Sequence, residues 1–157
     1  MKDRNVITVT PGRILRRFSA DETAPVVAEW LEVYGRNRKG IDTKSYLWHI
    51  FSGDRYPCMK GQEALEQYSK QTGAEFIVLS NDRVSALVTD HLPESSSLSD
   101  YFVFPRNLAW TMAFTHEDGW LGPWFALHPD FRHLNRENQS ELLKRAQASQ
   151  ARQNGWS

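Results

Sequence analysis

The chain has 157 residues, enough for one domain with a substantial core of its own, and its 40% hydrophobic and 24% charged content is that of a folded globular protein rather than a disordered one. Nineteen basic and nineteen acidic residues cancel, which argues against a partner bound directly through nucleic-acid phosphates. A single cysteine, Cys58, leaves no disulfide framework or thiolate cluster, and no apolar run is long enough to span a bilayer, so a cytoplasmic protein with no membrane contact is expected.

In chain order, Asn5 to Val9 is β-branched and ends at Thr10-Pro11-Gly12, which reads as a strand and turn. Arg13 to Arg17 is basic around Ile14 and Leu15 and suits pairing at a sheet edge. Ser19 and Glu22 have capping-box spacing, while Thr23 as N-cap would put Pro25 in a first turn that tolerates it. The spacing predicts a helix over 23–35, with Val26, Val27, Trp30, Leu31 and Tyr34 on one stripe and Gly35 with Arg36, Arg38 and Lys39 closing it. Residues 45–51, SYLWHIF, are an apolar run too short for a full helix and read as a buried strand. Good helix formers from Gln62 to Thr72, followed by Gly73, predict a second helix.

Phe76 to Leu79 and Val84 to Val88 flank Ser80-Asn81-Asp82-Arg83, a clear hairpin. The Ser-rich stretch 90–100 reads as a loop. Tyr101 to Phe104, Ala109 to Phe114 and Leu121 to Ala126 are three further strands, and Asn138 to Gln153 a C-terminal helix with Leu142, Leu143 and Ala146 as its apolar stripe. The expectation is a single α+β domain over 1–157: an antiparallel sheet of about five strands with two to three packed helices.

The groups able to do chemistry concentrate at His116-Glu117-Asp118, between two of these strands, where Gly119 lets the backbone turn. His116 or His49 with Glu117 could form an acid–base pair, since a carboxylate orients an imidazole and raises its pKa. A core role for His49 and a turn-stabilising role for His116 are the alternatives. A metal would need ligands from His49, Asp90 or His91, and none of these has ligand spacing. Cys58 and Ser52 lack a nucleophile's strand–turn–helix context, and the glycines are scattered rather than grouped as a phosphate cradle, so no cofactor is expected. Pro123 removes a ladder donor, so Trp120 and Trp124 either form an exposed aromatic patch or sit in the core.

Charge adds a second pattern. From Glu75 to Asp118 there are seven acidic and two basic residues, a local balance of −5, which could steer a basic partner. Asp82, Asp90, Glu94, Asp100, Glu117 and Asp118, with Trp120 and Trp124, are the candidate partner-binding residues.

YLWHIFSGDRYPCMKGQEA at 46–64 and NLAWTMAFTHEDGWLGPWF at 107–125 resemble a family of small bacterial proteins known only as a domain of unknown function. The likeness covers roughly 45–127. It implies a compact intracellular domain with Trp48, His49, Phe51, Trp110, His116, Glu117, Gly122, Pro123 and Phe125 as pattern positions, and it supplies no reaction. By analogy with acidic inhibitors, the functional expectation is a non-enzymatic immunity protein that neutralises a cognate protein toxin, one that is basic or a nuclease, by direct binding. The alternative is a small hydrolase or metal-dependent enzyme using His49, His116 and Glu117.

Overall fold

The computed structural model describes residues 6–116 and 122–155. Its centre is a seven-stranded antiparallel sheet in the order β2-β5-β4-β7-β8-β9-β3, with β1 and β6 forming a separate two-stranded ribbon. The strands are β1 (Val9–Thr10), β2 (Ile14–Phe18), β3 (Met59–Lys60), β4 (Phe76–Ser80), β5 (Ala86–Thr89), β6 (Ser95–Ser96), β7 (Tyr101–Phe104), β8 (Trp110–Phe114) and β9 (Trp124–Leu127); the helices are α1 (Ala20–Tyr34), α2 (His49–Ser52), α3 (Gln62–Ser69) and α4 (Phe131–Gln153). The class is the expected α+β, but with nine strands among the described residues instead of five. The extra pairings join distant short segments: β1 with β6, and β3 with β9.

Alternation along the central strands sorts side chains into two cores. On one face Ile77, Leu79, Phe102, Phe104, Ala113, Trp124 and Ala126 pack under α1 and the 46–51 segment. On the other, Phe76, Val78, Val103, Trp110, Met112 and Phe125 pack under α3 and the first turns of α4. Strands β4, β5, β7 and β8 are therefore buried throughout, which is why their sequences read as continuous apolar runs.

Helix α1 starts three residues earlier than the 23–35 expected. Ser19 accepts from Glu22 N while Glu22 Oε1 accepts from Ser19 N, so the capping box, not Thr23, sets the boundary. Thr23 lies inside the helix, its hydroxyl donating to Ser19 O. Trp30 Nε1 donates to Thr111 Oγ1 at 3.0 Å and Tyr34 Oη to Leu108 O at 2.8 Å, which satisfies two buried polar tips and fixes α1 on the sheet. Helix α3 ends at Ser69, short of Thr72.

The expected strand at 45–51 is instead a series of turns leading into α2. Its backbone is not paired in a ladder: Leu47 N donates to Asn81 Oδ1, and Asn81 Nδ2 donates to Ser45 O. Leu47, Ile50 and Phe51 are buried because the turns press them onto the sheet. The stretch 90–100 contains β6, and α4 begins at Phe131 rather than Asn138. None of α4's residues is buried; Phe131 and Leu134 half-bury against the second core, and Arg145 bonds Glu75 at 2.9 Å. Leu142 and Leu143 are exposed.

Candidate functional site

Register decides which candidates meet. Tyr101 lies opposite Ser80 and Phe114, so Asp82, Asp100 and His116 share one end of the sheet. Phe76 lies opposite Thr89, which puts Glu75 and Asp90 at the other end. The acidic stretch is thus divided, not gathered on one face.

Most of its carboxylates also have partners. Glu75 pairs with Arg106 at 3.3 Å and Arg145 at 2.9 Å. Asp90 accepts from Arg13 N at 2.7 Å and pairs with His91. Asp82 accepts from Ser80 Oγ at 2.5 Å and from Val84 N at 3.2 Å, although its residue is exposed, as is Glu94. Glu117, Asp118 and Trp120 lie outside the described residues. Of the two alternatives for Trp124 the core one holds: it is 3% exposed, paired through β9 and stacked on Trp48 at 5.1 Å with an interplanar angle of 22°.

Asp100 is the organising residue of the site. Its side chain, 11% exposed, accepts from Trp48 Nε1 at 3.0 Å and from His116 N at 3.2 Å, and both oxygens lie 3.0 Å from His116 Nδ1. With the carboxylate ionised, Nδ1 carries the proton, so the bond fixes the tautomer and aim of the ring. One carboxylate thus ties the segment before α2 to the end of β8. Tyr46 stacks on Trp48 at 5.0 Å and lies 5.3 Å from His116 and 5.7 Å from His49, so both candidate histidines flank one aromatic pair. His49 is partly exposed rather than a core residue, and its Nδ1 is 2.6 Å from Asp42 O. Ser45 hydrogen bonds hold the Asp42 carboxyl below the usual range.

Beyond Trp124 opens a cleft of about 830 Å3. It is lined by Phe51 and Ser52 from α2, Asp54 just after it, Cys58 to Gly61 around β3, Gln62, Glu63 and Leu65 from α3, and Gly122 to Trp124. Gly122 has φ +86°, and a Cβ there would meet Trp124 Cζ3 at 2.9 Å and Thr115 Cγ2 at 3.0 Å, so only glycine lets the chain pass this close to the tryptophan. Pro123 O accepts from Gly61 N at 2.9 Å, which joins two of the segments that line the cleft. Burial, with a contribution from Asp54, pushes the Cys58 thiol up to about 11, away from nucleophilic reactivity. Among the described residues no group of three His, Cys, Asp or Glu side chains could hold a metal, and no helix is long and apolar enough to cross a membrane.

Reading residue by residue missed Asp100's bracing role and the cleft residues Asp54, Lys60 and Leu65. Only the two motif segments, 46–64 and 107–125, pointed there, since they supply most of the walls.

The architecture and site define an α+β domain with an aromatic, carboxylate-braced end and an adjoining cleft. The family model of the domain of unknown function DUF4275 matches residues 16–125, and the chain belongs to that family. No curated protein and no solved structure matches the chain.

Proposed function

We propose that this chain is a non-enzymatic protein-binding domain that neutralises a cognate toxin by direct contact, with the cleft beside Trp124 as its central pocket. The cleft carries the reading. Its lining mixes the apolar side chains of Phe51, Met59, Leu65 and Trp124 with two exposed carboxylates, Asp54 and Glu63, against one cation, Lys60. Such a pocket suits a single anchoring side chain of a partner, and the excess of carboxylates favours a basic one. Asp100 keeps the wall rigid through Trp48 and its stack on Trp124, so little ordering cost falls on binding. Glu94 and Asp82, both exposed, could add steering charge at the periphery.

The test is co-expression with the product of the adjacent gene. A stoichiometric complex, lost in Glu63→Arg and Asp54→Arg chains that remain folded, supports the reading; no complex with the wild-type chain sinks it. A second reading, a hydrolase using His116, draws on the Asp100 bond to Nδ1, the arrangement by which a carboxylate orients a general base. It requires turnover of ester or phosphate reporter substrates that falls about a hundredfold or more in His116→Ala.

A further inference from the structure

A second recess, of about 280 Å3, lies at the Leu127 end of β9, where α1 ends and the chain turns toward α4. Arg36, Asn37, Arg55 and His128 line it, with Val33 and Tyr56 as apolar wall. Among the described residues neither arginine has an ion-pair partner; those pairs use Arg13, Arg16, Arg106 and Arg145.

Both guanidiniums are instead held by backbone carbonyls. Arg36 Nε donates to Glu32 O at 2.6 Å, and Arg55 Nη1 donates to Lys39 O at 2.6 Å and Asn37 O at 3.2 Å. Arg38 Nη1 donates to Gly35 O at 2.7 Å, so cations satisfy carbonyls at the negative end of the α1 dipole. These bonds fix the arginine stems while leaving Nη groups of Arg36 and Nη2 of Arg55 as donors. His128 is set in the same way: Asp130 N donates to Nδ1 at 2.8 Å, so the neutral ring carries its proton on Nε2 and is also a donor.

We propose that this recess binds a small phosphate-bearing anion. Arg36, Arg55 and His128 bring two guanidinium-bearing side chains and an imidazole to the lining of one recess from α1's end, from the segment after α2 and from β9's end, and N–H donors from three segments suit the several oxygens of a tetrahedral dianion better than the flat pair of a carboxylate. The volume admits a phosphoryl group with a modest attached body. This does not depend on the protein-binding reading, which concerns the other end of β9.

The experiment titrates inorganic phosphate into the intact 15N-labelled chain at constant ionic strength, with acetate and potassium chloride as parallel arms. The expected result is saturable amide shifts confined to residues 36–40, 55–56 and 128–130 with phosphate alone. Arg36→Gln should weaken that binding about tenfold, as loss of a charge-assisted bond does, and His128→Gln should weaken it to a lesser degree, both without loss of the folded spectrum. The proposal is overturned by no saturable shift up to about 10 mM phosphate, by equal shifts with acetate or chloride, or by phosphate affinity unchanged in both variants.

Discussion

Replacing Asp100 by alanine removes the one acceptor shared by Trp48 and His116. Trp48 is only 3% exposed, so its indole N–H is left without water to replace the carboxylate. An orphaned buried donor costs about 1–3 kcal/mol. The His116 ring, 37% exposed, can recover much of its bond from solvent and adds about 1 kcal/mol or less. The total of about 3 kcal/mol corresponds to a fall in Tm of about 6–12 °C for a chain of this length. Asp100→Asn keeps a carbonyl that can still accept from Trp48 Nε1 and His116 N, so it should cost about 1 kcal/mol. Denaturant unfolding followed by tryptophan fluorescence and by circular dichroism measures both variants. A double-mutant cycle with Trp48→Phe should return a coupling of about 1 kcal/mol or more. If the alanine variant unfolds within about 0.5 kcal/mol of wild type, the figure for an ordinary surface substitution, Asp100 is not the brace described.

Three other outcomes follow from local geometry. Ser19→Ala should lose about 1 kcal/mol and lower Tm by about 2–4 °C through loss of the α1 capping box; an unchanged Tm would mean that Thr23 caps the helix after all. At Glu75, desolvation raises the carboxyl's pKa, but hydrogen bonds from Arg145 and Arg106 outweigh it and hold it below the ordinary value. Its stabilisation is therefore full above the unfolded value near 4.3 and fades as pH falls through the lower folded value. The Tm gap between wild type and Glu75→Gln should be widest above about pH 5 and close in more acid solution; a gap that widens with acid contradicts the assignment. Cys58, with its thiol raised to about 11, should react with iodoacetamide roughly a hundredfold or more slower than a free cysteine in the native state, and at the free rate once unfolded.

What the sequence revealed divides along local and non-local lines. The β4–β5 hairpin and β7 were legible because β-branched and aromatic runs sit beside turn residues, and both signals lie within a few positions of each other. The start of α1 was ambiguous since Ser19 and Thr23 both satisfy cap chemistry; the reciprocal bond from Glu22 decides it, and Thr23 turns inward. SYLWHIF misled because burial alone produces an apolar run. What makes it a turn is Asn81, 34 and 36 residues downstream of Leu47 and Ser45, supplying the backbone partners a ladder would have given. Two-residue strands such as β3 and β6 carry no periodicity to read. The same holds for the site. His116 stood out as a histidine in a tight connection, but its partner was sought in the next residue, whereas the carboxylate holding it, Asp100, comes from across a strand pair. Trp124 was undecided from sequence because a proline before a strand fits both an edge and a core entry point; its stack on Trp48 settles its burial.

Hydrogen–deuterium exchange of this chain, alone and with the adjacent gene's product at saturating concentration, shows whether the cleft beside Trp124 is where a partner binds. The expected result is a complex in which protection rises in residues 51–65 and 122–124, the segments that wall the cleft, and in which Glu63→Arg removes that protection along with binding. Absence of a complex, or a complex whose protection lies elsewhere and survives Glu63→Arg, would contradict it.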